Sequence, residues 1–121
     1  MNNTFRYSII YAVLRPEISE RLSVGLIIVD GDKIDVRYSR HKLNALQPLF
    51  SEKEYKFLSR VLSTMKRSQT VKSTDSINYL ARYSNNLIAV SPLQTIDIAP
   101  TESSKERLYR NYVYRGARKT A

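Results

Sequence analysis

The side chains that could do chemistry here are few. His41 is the single histidine, and there are no cysteines. A serine triad needs a histidine to carry the proton, and no G-x-S-x-G elbow places a serine for His41 to activate. The lack of cysteine removes thiolate nucleophiles, disulfides and thiolate metal sites together. One histidine cannot build a histidine metal centre within one chain, and His41 reads as a residue near the start of a helix. Asp30, Asp32 and Asp35 cluster round a turn, with Glu17 and Glu20 ahead of them. Such oxygens suit a hard cation, but the spacing is not that of an EF-hand loop, and tight turns select Asp for backbone reasons. The three glycines, Gly25, Gly31 and Gly116, make neither a phosphate loop nor a dinucleotide fingerprint. No catalytic residue, cofactor or metal is expected, and the expectation is a protein that is not an enzyme.

What remains is cationic and aromatic. The 121 residues carry a formal net charge of +9 and nine tyrosines. The positive excess is densest in residues 101–121, where six basic groups face two acidic ones. There Lys105, Arg107, Arg110 and Arg115 interleave with Tyr109 and Tyr112, followed by Tyr114, Arg118 and Lys119. Cations could neutralise phosphates and tyrosine rings could stack on bases, so this segment is a candidate for binding nucleic acid. Its bland alternative is a docking helix with buried tyrosines and solvated arginines. Lys53, Lys56, Arg60, Lys66, Arg67 and Lys72 form a second basic set. An acidic protein partner would meet the same charge.

The elements that must position these groups follow from periodicity. Phe5 to Leu14 alternates, with Phe5, Tyr7, Ile9, Tyr11 and Val13 on one face and Ile10, Ala12 and Leu14 on the other. Both faces are apolar near its end, which predicts a strand covered on both sides. Pro16 interrupts in a loop. Arg21 to Val29 is a second strand, with Leu22, Val24, Leu26 and Ile28 on one face. Asp30-Gly31-Asp32-Lys33 signals a hairpin, and Ile34, Val36 and Tyr38 form a third strand whose other face is polar. His41 to Leu46 suits a short helix ended by Pro48. Ser51 and Glu54 spell a capping box before a helix with Tyr55, Leu58, Val61, Leu62 and Met65 at helical spacing, Met65 as a core filler. A short helix over 75–83, strands over 87–90 and 95–98, and a last helix opened by Pro100-Thr101, with a second box-like Ser103-x-x-Glu106, and stopped by Gly116 complete the reading.

Strands first, then helices, then strand and helix again is an α+β order. The predicted fold is a three-stranded antiparallel meander extended by one or two later strands and packed with two to four helices. One domain is expected over residues 1–116, with a frayed basic tail over 117–121. No apolar run approaches the length of a membrane helix, and the N-terminal residues lack the plan of a secretory signal, so no membrane association and a cytoplasmic location are expected.

Ser19-Glu20-Arg21-Leu22-Ser23-Val24-Gly25, followed by an apolar strand, resembles a motif of a bacterial family, domain-of-unknown-function family 3037. That motif runs roughly Gly-Glu-x-x-Asn-Val-Gly. Glu20 and Gly25 match it; Ser19 stands in place of its glycine and Ser23 in place of its asparagine. The preceding Tyr7-Ser8-Ile9-Ile10-Tyr11 strand and the ending with Leu108, Tyr109 and Val113 also look like that family. Its members are small proteins often encoded beside HipA-like kinases. The resemblance therefore implies a protein partner, such as a HipA-like kinase or a related toxin–antitoxin system. It makes Arg15, Glu20, Arg21 and Ser23 the candidate partner-binding loop. The structural alternative takes Gly25 as a bulge or a close backbone approach, and Glu20 as a partner of Arg15, Arg21 or loop amides.

Overall fold

In the computed structural model, residues 4–67, 77–78 and 87–114 are described. The chain is α+β. Strands β1 (Phe5–Arg15), β2 (Glu20–Asp30) and β3 (Lys33–Tyr38) form the expected antiparallel meander. Two short later strands, β4 (Ile88–Val90) and β5 (Gln94–Ile96), both pair antiparallel with β1. The sheet runs β3-β2-β1-β4, with β5 further along the same edge of β1. The longer described helices are α1 (Arg40–Leu46), α2 (Glu52–Lys66) and α3 (Glu102–Tyr112).

The sheet is covered on both faces, as the two apolar faces of β1 require. Ile10 and Ala12 join Val24, Ile27, Val29 and Val36 beneath Leu43 and Leu46 of α1 and Leu58, Leu62 and Met65 of α2. Met65 is 1% exposed, a core filler as its spacing predicted. On the opposite face, Phe5, Tyr7, Ile9, Leu26 and Ile28 pack with Leu108 and Val113 from α3 and the residue after it.

Local signals explain most boundaries. Ser51 Oγ accepts from the Glu54 N–H at 3.1 Å, and Glu54 Oε1 accepts from the Ser51 N–H at 3.0 Å, closing the capping box of α2. Gly31 takes a positive φ of 61° in the β2–β3 turn, where a side chain would strain. Pro92 ends β4, and the broken ladder is repaired by hydroxyls. The Ile9 N–H donates to Ser91 Oγ at 2.8 Å, and the buried Ser8 hydroxyl donates to the Ser91 carbonyl.

Four expectations need correction. Val24 and Leu22 do not share the face of Leu26 and Ile28; Leu22 stands opposite Ala12, on the α1–α2 side. Ile10 pairs with Gly25 and Tyr11 with Ser23, so Val24 is an inserted bulge residue that turns to the α1–α2 side. The polar face of β3 does not face open solvent, because Arg37 is ion-paired to α3. Helix α3 opens at Thr101 as expected, but its capping box pairs Thr101 with Ser104 and not Ser103 with Glu106: Thr101 Oγ1 accepts from the Ser104 N–H at 3.1 Å. That helix also ends at Tyr112, with Val113 as its C-cap, before Gly116 is reached. Of the helix expected over 75–83, residues 77 and 78 are described and helical, with Ile77 fully buried; the rest lies outside the described residues. So do Gly116 and the tail 117–121.

Candidate partner-binding surface

Past the end of β3 the sheet narrows, first to β2, β1 and β4, which pairs with β1 from Ile10 to Ala12, and then to the β1–β2 pair alone. β3 pairs with β2 only from Gly25 to Asp30, whereas β2 continues back to Glu20 against β1. The far end of the β1–β2 pair, with the 3-10 turn Pro16–Ile18, therefore extends past the broad sheet. Every residue from Arg15 to Leu22 is exposed. Ile18 at 57% and Leu22 at 38% are large apolar side chains left in water there. A second irregularity lies between Val13 and Arg15, and Ser19 turns the chain with a left-handed φ of 55°, which a non-glycine residue adopts at some cost.

The charged residues around these apolar groups are arranged as follows. Arg15 pairs with Glu17 at 3.6 Å, both well exposed. Glu20 stands opposite Arg15 in the ladder, yet it forms no ion pair among the described residues. The Arg21 guanidinium lies 4.2 Å from the centroid of the Tyr11 ring, a cation–π contact that fixes its direction. Glu20 is thus a free carboxylate at the rim, not the partner of Arg15 or Arg21.

Ser23 departs from its expected company. It sits beside the Val24 bulge and reaches α3: its Oγ donates to the Tyr112 carbonyl at 2.5 Å. Lys42 Nζ donates to Ser23 Oγ at 3.1 Å and to the Val113 carbonyl at 2.7 Å. The last carbonyls of a helix lack intrahelical donors and carry partial negative charge. Ser23 and Lys42 supply both donors and cation, so they fasten the end of α3 to the bulge. Burial lowers the Lys42 pKa from 10.5. The sequence reading passed over Lys42, because its partners lie 19 and 71 residues away.

The C-terminal candidates divide. Lys105 is held by Asp30 at 3.1 Å, with only 15% of its side chain exposed. Tyr109 is half-buried against the sheet, and the Tyr112 ring stacks on Tyr7 with centroids 5.7 Å apart. Arg110 pairs with Glu106 along the helix at 3.4 Å. Arg107 is exposed, and Arg115 lies outside the described residues. At the start of α3, Arg37 of β3 bonds Asp35 at 2.7 Å and Glu102 at 3.0 Å. Burial opposes its charge, but the two carboxylates outweigh that and raise its pKa. Helix α3 is therefore a docked helix, whatever else its outer face does.

No family model, no curated protein and no solved structure matches the chain.

In the second basic set, Lys56 pairs with Glu52 at 3.1 Å, and Lys53, Arg60 and Arg67 are exposed. Lys66 Nζ lies 5.6 Å from the Tyr38 ring centroid. Lys72 lies outside the described residues. Among the described residues, no three His, Cys, Asp or Glu side chains are grouped to hold a metal ion. Two of the three turn acids are committed elsewhere: Asp30 to Lys105, and Asp35 to Arg37. No described helix is long and apolar enough to cross a membrane.

The docking of α3 has a pH signature. Burial raises the pKa of Tyr7 and of Tyr109 above 10.0. The native state then holds those protons more tightly than the unfolded chain, so their contribution is full below pH 10 and is lost as pH rises through the raised values. Lys42 acts oppositely, because its lowered pKa makes stability rise with pH just below 10.5. The raised tyrosine values predict a loss of stability above about pH 10, with Lys42 opposing it up to 10.5. Urea unfolding between about pH 8 and 11 should show it, and Tyr109→Phe should flatten the decline. An unchanged decline in that variant would remove Tyr109 from the account.

Proposed function

We propose that this is a non-catalytic protein that works by binding a protein partner through the projecting β1–β2 end, residues Arg15 to Ser23. The observation that carries this reading is that Ile18 and Leu22, two large apolar side chains, are left in water at the projecting end of the β1–β2 pair. A fixed apolar centre within a rim of charges is the arrangement of an interface hot spot. Arg15, Glu17, Glu20 and Arg21 supply that rim. The resemblance of Glu20-x-x-Ser23-x-Gly25 to the family motif names a HipA-like kinase as the candidate partner, in a cytoplasmic toxin–antitoxin-type system.

The test is recovery of the kinase from the native host with and without nuclease, using the wild-type chain and Ile18→Asp/Leu22→Asp. Both side chains are exposed, so the double variant should melt within about 1 °C of wild type. Kinase retained by wild type after nuclease and lost by the variant supports the reading. Equal retention by both moves the interface off this arm.

A second reading is a basic nucleic-acid-binding module on α3. The exposed Arg107 and Arg110 favour it. Against it, Lys105, Tyr109 and Tyr112 of the same helix are engaged with the sheet.

A further inference from the structure

Five described cations outside the hairpin arm have a carboxylate or a carbonyl for company. Arg37, Lys56, Lys105 and Arg110 pair with acids, and Lys42 with a helix end. The groove between α1 and α2 brings together two cations that lack such company. It is lined by Tyr38, Arg40, Asn44, Tyr55, Arg60 and the serines Ser59 and Ser63, over Leu43, with a volume of about 380 Å³. No carboxylate lines it. Neither Arg40 nor Arg60 forms an ion pair among the described residues, and Lys66 adds a third cation beside Tyr38.

The walls are fixed by the fold. Arg40 opens α1, whose N-cap Ser39 is tied to the Val24 bulge by its N–H, which donates to the Val24 carbonyl at 3.0 Å. Across the groove, Tyr55 Oη donates to Asn44 Oδ1 at 2.8 Å, linking α2 to α1. The guanidinium is a planar fork suited to phosphate oxygens, and serine hydroxyls are further donors. Tyr38 and Tyr55 add aromatic surface at the same place. The volume falls in the range of small-ligand sites, about 300–1,000 Å³.

We propose that the α1–α2 groove binds a nucleoside phosphate, with Arg40 and Arg60 holding the phosphate and the tyrosines bordering the base. The ligand is either a free nucleotide or one unit of a single strand. This site is separate from the hairpin arm and does not depend on it.

The probes are AMP, read by calorimetry, and a fluorescein-labelled oligothymidylate of about ten nucleotides, read by anisotropy across a salt series. Arg40→Ala/Arg60→Ala is expected to weaken binding at least about tenfold, the loss expected of one or more charge-assisted contacts. For the strand, the salt slope should fall by about 1.4, or about 0.7 for each cation removed. Arg60→Glu alone should abolish binding, and both variants should melt like wild type because both side chains are exposed. AMP binding that the double variant loses identifies a free nucleotide, and strand binding without AMP binding identifies single-stranded nucleic acid. Binding of neither probe overturns the proposal. So does binding that survives Arg40→Ala/Arg60→Ala but falls in Arg107→Ala/Arg110→Ala, which would place the contact on α3.

Discussion

Gly25→Val is expected to destabilise the chain by about 2–3 kcal/mol and to lower its melting temperature by roughly 10 °C. A Cβ at Gly25 would stand 2.9 Å from the Arg37 carbonyl oxygen, 3.1 Å from Ile10 Cδ1 and 3.2 Å from Tyr38 Cβ. The nearest atom is backbone, and it belongs to a residue that cannot easily yield. Arg37 is laddered to Leu26 and ion-paired to α3. Relief would need β3 to move away from β2, or the bulge at Val24 to be lost. Either change would misplace Ser23 and so loosen the end of α3. Gly25→Ala should show a smaller loss in the same direction. Thermal unfolding of both variants checks it, and melting curves that overlay wild type would refute the close-approach account.

Leu108→Ala should have the other large effect. Leu108 is the buried residue of α3, 4% exposed, and it packs on the face carrying Phe5, Leu26 and Ile28. Removing it leaves a cavity between helix and sheet, at a cost of about 2–4 kcal/mol. The ion pairs of Arg37 and Lys105 and the Lys42 contacts hold both ends of the helix, so the helix should stay docked but become easier to release. Hydrogen exchange should therefore quicken in α3 before it quickens in β1 and β2. Uniform acceleration over the whole chain would mean that α3 does not open as a separate unit.

The sequence revealed the framework where one signal was strong and local. β1 was readable because both of its faces carry their own apolar series, and α2 because Ser51 and Glu54 mark its start. Counting by twos misplaced Val24, because alternation cannot register an inserted residue; Gly25 was the available hint, and it marks both the bulge and the close approach. The polar side of β3 was legible as polar, but its purpose depended on acids 65 residues later in α3. The site was legible only in part. Arg15, Glu20 and Arg21 do lie together at the exposed end of the hairpin, whereas Ser23 turns to the last helix. Arg40 escaped notice because the α1–α2 groove exists only after two helices have packed. The interleaved tyrosines and cations of α3 have one pattern for two uses, and only the fold shows that Lys105, Tyr109 and Tyr112 serve docking.

The position of β4 and β5 has a consequence for biosynthesis. Both cover the same side of β1, and Ser8 meets Ser91 across 83 residues of chain. A ribosome adding about 5–20 residues per second needs roughly 4–17 s to supply that partner. Throughout that interval the β1–β2–β3 hairpins can close by local contacts, but the outer edge of β1 is bare. An uncovered apolar strand edge is a template for pairing with another nascent chain. The chain is therefore most exposed to misassembly while it is being made, and a holdase acting on the emerging meander should raise its soluble yield more than it raises the stability of the finished fold.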